Sequence, residues 1–419
     1  MFITDMQKQW RSLLAGWQGL DWVLLALPVV LTIFGALVIH STQINTVNGG
    51  YGLNHAVLGA IGLGLALWIS RSRYEHLLNW QWIIYIAVNL LLVLVMFIGT
   101  VGGGAQSWLG VGGFYVQPSE FAKLSIIITL AAMLSRRDAS TLWGVASAMT
   151  VLVLPWLLVF IQPDLGTSLV FGAITLSMLY WANCNPGWLL LFVSPLMAAI
   201  LFHLVLPSWL VWSLGMGLVA WFTLPWRWFS TVVATAVNLV AGKLGDIFWN
   251  LLQDYQKDRL VLFLDPDKDP LGGGYHLIQS RIAIGAGKLF GQGWGNGSQT
   301  QLNFIPEQHT DFIFSAIGEE WGFVGAMVVI AAYWLICFRL VIIAQNAKDD
   351  FGSLLVIGVL AMIVFQVVIN IGMTIGLAPI TGIPLPWLSY GRSALLTNFI
   401  ALGMAESVAN FRHRLRFTD

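Results

Sequence analysis

The sequence predicts an all-α polytopic membrane helix bundle of about 10–12 transmembrane helices with one large polar loop. Composition and the recurrence of long apolar runs predict it. Of 419 residues, 58% are hydrophobic and only 10% are charged, whereas a soluble globular chain carries about 25% charged residues, so no water-facing surface can be assembled from it. A helix of about 20 apolar residues crosses the hydrocarbon core, because every backbone polar group must be satisfied within the segment. Runs of that kind fall at 21–41, 53–70, 77–100, 118–135, 142–161, 165–182, 186–206, 208–224, 228–250, 311–341, 353–377 and 391–411.

Taken in order, residues 1–20 mix Lys8, Arg11, Trp10 and Trp17 with polar residues, and the run from Asp21 is too long for a signal-peptide core; the segment reads as a retained, interfacial N-terminus. The Trp-rich stretch from Pro207 to Trp228 reads as one span or a re-entrant segment, and an even count requires it to pair with its neighbour. Lys8, Arg11, Arg71, Arg73, Arg136, Arg137, Arg227, Arg339, Lys348, Arg412, Arg414 and Arg416 fall in one set of connections, while those near 42–52, 101–117, 162–164 and 378–390 hold none. The positive-inside rule then makes residues 1–20 and the 412–419 tail cytoplasmic and turns the 251–310 loop outward. The whole chain reads as a single integral membrane domain.

Twenty basic residues balance twenty acidic ones, which removes any reason to expect a nucleic-acid partner. Cys184 and Cys337 are the only cysteines, so there is neither a disulfide framework nor a CxxC spacing. No internal repeat or low-complexity segment is visible. The 21 tryptophans read first as interfacial anchors.

Polar residues that break this pattern are the chemical candidates. In the loop, Asp265, Asp267 and Asp269 alternate with Pro266, Lys268 and Pro270, and the Asp-Pro pairs hold carboxylates in turns. They read either as solvated turn carboxylates or as a crowded acid group in which one carboxyl is tuned toward general-base work. An EF-hand is excluded, because Pro270 and His276 stand where Gly and Glu are needed. Gly285, Gly287, Gly291, Gly293, Gly295 and Gly297 match neither Walker A nor GxGxxG and read as architectural. Glu307, Gln308, His309, Thr310 and Asp311 fit no zinc spacing. Within spans, Glu120 and Lys123 share a helix face. They are either a mutually satisfied structural pair or a functional one, since intramembrane charge is costly. Glu319, Glu320, Asp164, Ser389, Tyr390 and Arg392 gather toward the outer half of the membrane, where a polar cavity opening to the loop would receive a charged lipid headgroup.

Several segments together resemble the SEDS family of RodA, FtsW and SpoVE proteins, most of all its RodA members. They are Gln106-Ser107-Trp108-Leu109, Gln117-Pro118-Ser119-Glu120-Phe121-Ala122-Lys123, Gln162-Pro163-Asp164-Leu165-Gly166-Thr167, Asp269-Pro270-Leu271-Gly272 with Gly274-Tyr275, Glu307 with His309-Thr310-Asp311-Phe312, and Pro384-Leu385-Pro386 with Ser389-Tyr390-Gly391. The resemblance implies a peptidoglycan glycosyltransferase of the bacterial cytoplasmic membrane that polymerises lipid II during cell elongation and shape maintenance. It places Asp269 as the essential loop aspartate and Trp108, Glu120 and Lys123 at functional positions, with His309 and Asp311 in a matched motif. On that reading Asp269 is the general base, and Lys123 with Arg281 or Lys288, or a divalent cation (Mg or Mn), offsets the leaving diphosphate. No other cofactor is expected. The implied partners are a class B penicillin-binding protein and other elongation-complex membrane proteins. The rival readings from the residues are a lipid-linked precursor flippase or transporter, and a noncatalytic scaffold. Two departures from the family pattern stand out: Arg392 replaces the second glycine after Ser389-Tyr390, and 186–250 holds an additional hydrophobic pair.

Overall fold

Hydrocarbon offers a backbone no hydrogen-bond partner, so each crossing segment must close its own ladder. The computed structural model describes residues 19–45, 50–102, 105–111, 114–137, 139–204, 206–251, 257, 262–263, 269 and 274–412. It is built from helices α1 (Trp22–Ser41), α2 (Tyr51–Arg71), α3 (His76–Ile98), α4 (Pro118–Leu134), α5 (Leu142–Ile161), α6 (Leu165–Trp181), α7 (Pro186–Leu204), α8 (Leu206–Thr223), α9 (Arg227–Leu251), α10 (Tyr275–Ala286), α11 (Ser298–Gln301), α12 (Ile313–Gln345), α13 (Asp350–Ile375) and α14 (Arg392–Asn410). Seven of the described helices, α1, α2, α3, α5, α8, α12 and α13, are long and apolar enough to cross a membrane by length and composition. The other five segments expected to span are helical too, but α4 and α6 are shorter and α9 carries Arg227, Lys243 and Asp246. Leu37, Ile83, Leu218, Phe222, Val328 and Val368 face outward, a belt that suits lipid and would not survive in water.

α4 is the axis. Fifteen of its 17 residues are buried, enclosed by α3, α5, α6, α13 and α14, so the polar residues that weaken its hydropathy face protein rather than lipid. Two ends of the bundle differ in chemistry. At the terminal end, Arg339 pairs with Asp21, whose backbone N–H donates to Glu406 at 2.9 Å. There Tyr74 also donates to Asp349 at 3.0 Å and Lys348 meets Glu75 at 3.2 Å. At the loop end sit the connections that carry the motifs. α7, α8 and α9 pack on one another and meet the body chiefly along α6, with the Asn238 amide donating to Ser194 at 3.0 Å in their midst. The stretch expected as one span or a re-entrant segment is thus a full helix, α8, paired with α9.

The connection near 101–117 is built of strands. Three short antiparallel strands, β1 (Thr100–Gly102), β2 (Ala105–Val111) and β3 (Phe114–Val116), follow one another in order, with Thr100 opposite Trp108 and Gly110 opposite Tyr115. Pairing satisfies strand backbone at the membrane edge, a role that strands of three and seven residues among glycines do not announce in sequence.

Nor is the second half of the 251–310 segment an open loop. Ser280 of α10 shares a 2.6 Å hydrogen bond with Ser315 of α12 and donates to the Thr374 carbonyl of α13 at 2.6 Å. Beyond α10, the chain repairs a break in α12. Gly322 has φ 66° and ψ −163°, a region open essentially to glycine alone. The amides of Phe323 and Val324 therefore turn to the carbonyls of Lys288 and Leu289 at 2.9 and 3.0 Å. In return, Gln292 and Gly293 donate to the carbonyls of Glu319 and Glu320 at 2.9 and 3.0 Å. Glu319 accepts the amides of Gln299 and Thr300 at 2.8 and 2.9 Å, and the Thr300 hydroxyl at 2.6 Å, placing a carboxylate at the positive end of α11. Glu320 takes the Ser41 hydroxyl and the Gly295 amide. These two acids hold the loop to the bundle. Replacing Gly322 with Ala is expected to cost about 1–3 kcal/mol from backbone strain alone, read as a lower melting temperature of purified protein in detergent.

Candidate functional site

A charge inside a bundle is tolerated only with a partner, and α4 supplies both members. Lys123 Nζ lies 2.7 Å from Glu120 Oε2, with side chains 2% and 4% exposed. The pair sits one turn below the start of α4, where Pro118 occupies the first helical position and its missing N–H costs nothing. Next to it, Gln117 donates its backbone N–H to Ser393 Oγ of α14 at 2.9 Å. Its side-chain amide donates to Asp164 at 3.2 Å, as does the Ser119 hydroxyl. Asp164 is the N-cap of α6 and accepts the Thr167 amide at 3.0 Å. The first turns of α4, α6 and α14 thus converge, each bringing the partial positive charge of a helix start, with the Asp164 carboxylate already bonded among them.

An aromatic group adjoins this point. The Tyr51 ring stacks on His309 with centroids 5.3 Å apart and planes 3° apart, and Tyr390 tilts against Tyr51 at 5.0 Å. The Tyr390 amide donates to the His309 carbonyl at 2.9 Å, and Arg392 Nε donates to the Tyr390 hydroxyl at 3.2 Å. Burial holds the His309 imidazole below its ordinary value, against a smaller opposing pull from Glu307. Two residues further, the Asp311 carbonyl accepts from Asn370 of α13 at 2.9 Å.

The sequence-derived candidates therefore separate into groups. Glu120 and Lys123 are bonded to each other, and His309 and Asp311 share one turn, with the Asp311 amide on the Glu307 carbonyl at 3.1 Å. Trp108 is half-buried on β2, which packs against α4. Asp269 is exposed, and its carbonyl accepts the Gly274 amide at 3.1 Å, tying it to the start of α10. Asp265 and Asp267 lie outside the described residues. Arg281 and Lys288 are not drawn into the convergence. Arg281 donates to the Gly376 carbonyl at 3.2 Å, at the C-terminus of α13 where a cation suits the helix dipole. Lys288 lends its carbonyl to the α12 break while its side chain is exposed. Among the described residues no three His, Cys, Asp or Glu side chains gather to hold a metal ion.

Sequence reasoning missed Tyr51 and His55. His55 is 1% exposed and its Nε2 lies 3.1 Å from the Trp387 carbonyl; a histidine one turn into an apolar run was the available signal. Two cavities of about 740 and 360 Å³ open at the opposite, terminal end, the smaller between Arg136, Arg137, Asn183 and Asp350. They take no part in the motif convergence.

Two outcomes follow from this geometry. Lys123→Ala leaves Glu120 buried and alone, and is expected to destabilise by about 3–5 kcal/mol; the double change Glu120→Gln, Lys123→Met should cost less than the single one, measured by thermal unfolding in detergent. Because the folded imidazole of His309 binds a proton less readily than the unfolded reference of 6.5, stability falls as pH drops through 6.5 toward the folded value. The melting temperature should decline less steeply below that pH in His309→Gln than in wild type.

Known proteins place this arrangement. The family model of FtsW, RodA and SpoVE, described as "Cell cycle protein", matches residues 21–212 and 207–414. The peptidoglycan glycosyltransferase MrdB of Escherichia coli K12 is 36% identical over 402 residues, covering 94% of this chain and 95% of that protein. The peptidoglycan glycosyltransferase RodA of Treponema pallidum is 36% identical over 429 residues, covering 94% and 98%. Among solved structures, a chain of a peptidoglycan synthase complex that coordinates polymerization and crosslinking superposes with a TM-score of 0.70 at 30% identity, covering 95% of this chain and all of that one. The rod-shape-determining protein RodA of Thermus thermophilus superposes with a TM-score of 0.63 at 25% identity, covering 95% and 99%. The chain belongs to the FtsW/RodA/SpoVE family of multi-pass bacterial membrane proteins, and it is a peptidoglycan glycosyltransferase.

Proposed function

We propose that the chain polymerises lipid II at the outer face of the cytoplasmic membrane during cell elongation, with Asp269 as general base and both termini cytoplasmic. The observation that carries the reading is the exposed Asp269, whose backbone is tethered to the start of α10, a helix itself bonded to α12 and α13 at the loop end of the bundle. A base must be reachable by its substrate yet held in place, and Asp269 combines the two. Arg71, Arg73, Arg339, Lys348 and Arg412 lie at the terminal end, which supports the orientation.

In the reaction, Asp269 accepts the proton of the 4-hydroxyl on the GlcNAc of one lipid-linked sugar. The freed oxygen attacks the anomeric carbon of the other substrate's MurNAc from the face opposite its phosphate. The new glycosidic bond forms as the carbon–oxygen bond to the diphosphate breaks with inversion, and undecaprenyl diphosphate departs with the electron pair. The proton on Asp269 is then released to water. The converging first turns of α4, α6 and α14 favour the negative charge that develops on the diphosphate. A donor carried in the bilayer reaches such a site laterally, without a sugar-nucleotide domain. Family kinship to a chain solved within a peptidoglycan synthase complex supports a class B penicillin-binding protein as partner.

Wild-type protein supplied with lipid II, its cognate transpeptidase and a divalent cation is expected to yield glycan polymer, and Asp269→Ala to yield less than about a hundredth as much, the lower range for loss of a general base. Gel resolution of the products checks this, with an unchanged melting temperature showing that the variant is folded. Equal polymer from both proteins would remove Asp269 from the chemistry.

A further inference from the structure

The two cavities at the terminal end lie on a seam of the bundle. α7, α8 and α9 meet the body chiefly along α6, and both cavities open beside the turn that joins α6 to α7. Tyr180 and Trp188 help to line the larger, of about 740 Å³, and Arg136, Arg137 and Asp350 the smaller, of about 360 Å³. Trp181 and Asn183 line both, so they adjoin as lobes of one cleft, each of the size that takes a small molecule, about 300–1,000 Å³.

Hydrogen bonds fix the walls. Trp181 Nε1 donates to Ser353 Oγ of α13 at 2.8 Å, and that hydroxyl donates to the Ala344 carbonyl at 2.8 Å. Trp188 Nε1 and the Asn185 side-chain amide donate to the Thr223 carbonyl of α8 at 3.3 and 3.2 Å. Asn183 has φ 63°, a left-handed conformation that asparagine tolerates, and its backbone N–H on the Tyr180 carbonyl at 3.2 Å closes the turn between the lobes. Arg136 and Arg137 are exposed just past the end of α4. Among the described lining residues they outnumber the one carboxylate, Asp350; Asp138 lies outside the described residues.

Exposed rings mark the depth of this cleft. Trp143 at the start of α5, Tyr180 near the end of α6, and Trp226 and Trp228 between α8 and α9 are 62% to 78% exposed. Amphipathic rings left open in this way settle at the headgroup level of a bilayer, which puts the two guanidiniums where lipid phosphates lie. A planar guanidinium matches the paired oxygens of a phosphate. α6 runs 17 residues, about 26 Å, from Asp164 to this cleft, so a lipid held here stands apart from the convergence of α4, α6 and α14.

We propose that the cleft binds the headgroup of an anionic phospholipid, its phosphate on Arg136 and Arg137 and its glycerol against the aromatic residues of the α6–α7 turn, so that the lipid fills the seam between α6 and the α7–α9 group. The site is separate from the chemistry assigned to Asp269. Its leaflet, the cytoplasmic one, rests on the orientation proposed above; binding measured in detergent is independent of that orientation, so either can fail alone.

Purified full-length protein in detergent is titrated with phosphatidylglycerol, phosphatidylcholine and inorganic phosphate, and bound lipid is read by native mass spectrometry. Wild type should hold phosphatidylglycerol about tenfold or more tighter than phosphatidylcholine, the scale of a charge-assisted hydrogen bond, and equal inorganic phosphate should not displace it. The double change Arg136→Gln, Arg137→Gln should bring the two lipids to equal affinity. Arg73→Gln with Arg227→Gln, which removes two cations of the same end outside the cleft, should leave the preference unchanged. Melting temperatures without added lipid show folding. If the double variant does not fold, the two single variants decide: a reduced preference in either upholds the site and none in both overturns it. No preference in wild type, or a preference kept in the folded double variant, overturns the site. Equal loss in the Arg73 and Arg227 variant also overturns it, by showing diffuse attraction to a basic end, and displacement by inorganic phosphate overturns the lipid as its occupant. None of these outcomes alters the transferase reading, which is judged on polymer.

Discussion

A helix that breaks inside hydrocarbon strands amides and carbonyls where no water can reach them, and the arrangement at the loop end depends on how the break at Gly322 is repaired. The segment 288–293 supplies carbonyls for the amides beyond the break and donates its own amides to the carbonyls before it. Glu319 and Glu320 then extend the seam, one to the start of α11, the other to Ser41 at the end of α1. Through these bonds the loop is bound to two helices remote in sequence. Its continuation, the turn with His309 and Asp311, is held against Tyr51, Tyr390 and Asn370.

The second constraint is charge in a dry place. α4 is enclosed by five helices, so Glu120 and Lys123 have each other and little else, and their first value is that neither is left uncompensated. The cost of burying them is accepted at the level where three helix starts meet. That convergence is an electrostatic device assembled from backbone, with no single residue responsible for it. Asp164 shows the balance: the same carboxylate that caps α6 ties down Gln117 and Ser119 of α4, fixing the two helix starts against each other.

The three helices α7, α8 and α9 form a group at the side of the bundle. The family model matches residues 21–212 and 207–414, so it runs through these helices as well as the chain on either side of them. Their contacts run mainly among themselves, held by Ser194, Trp212 and Asn238. Between lipid-facing helices the hydrophobic effect is weak, and such internal hydrogen bonds with close packing carry the association.

By itself the sequence determined the class of the fold, since 58% hydrophobic residues cut into helix-length runs have no other stable form in water or lipid. It also determined the alternation of basic connections and the motifs of the family, because these are local patterns of composition. Glu120 and Lys123 were legible as charges out of place, and Asp269 through the family motif. Tertiary structure alone decided which charges meet. The pairing of Glu120 with Lys123 was open to sequence at helical spacing, but the capture of Glu319 by Thr300, of Gln117 by Ser393 and of Arg392 by Tyr390 joins elements that sequence sees as separate. The strands at 100–116 and the Tyr51, His309 and Tyr390 stack were invisible for the same reason. Long-range pairing is set by how helices pack around α4, and packing is a property of surfaces brought together in space rather than of any residue's neighbours in the chain.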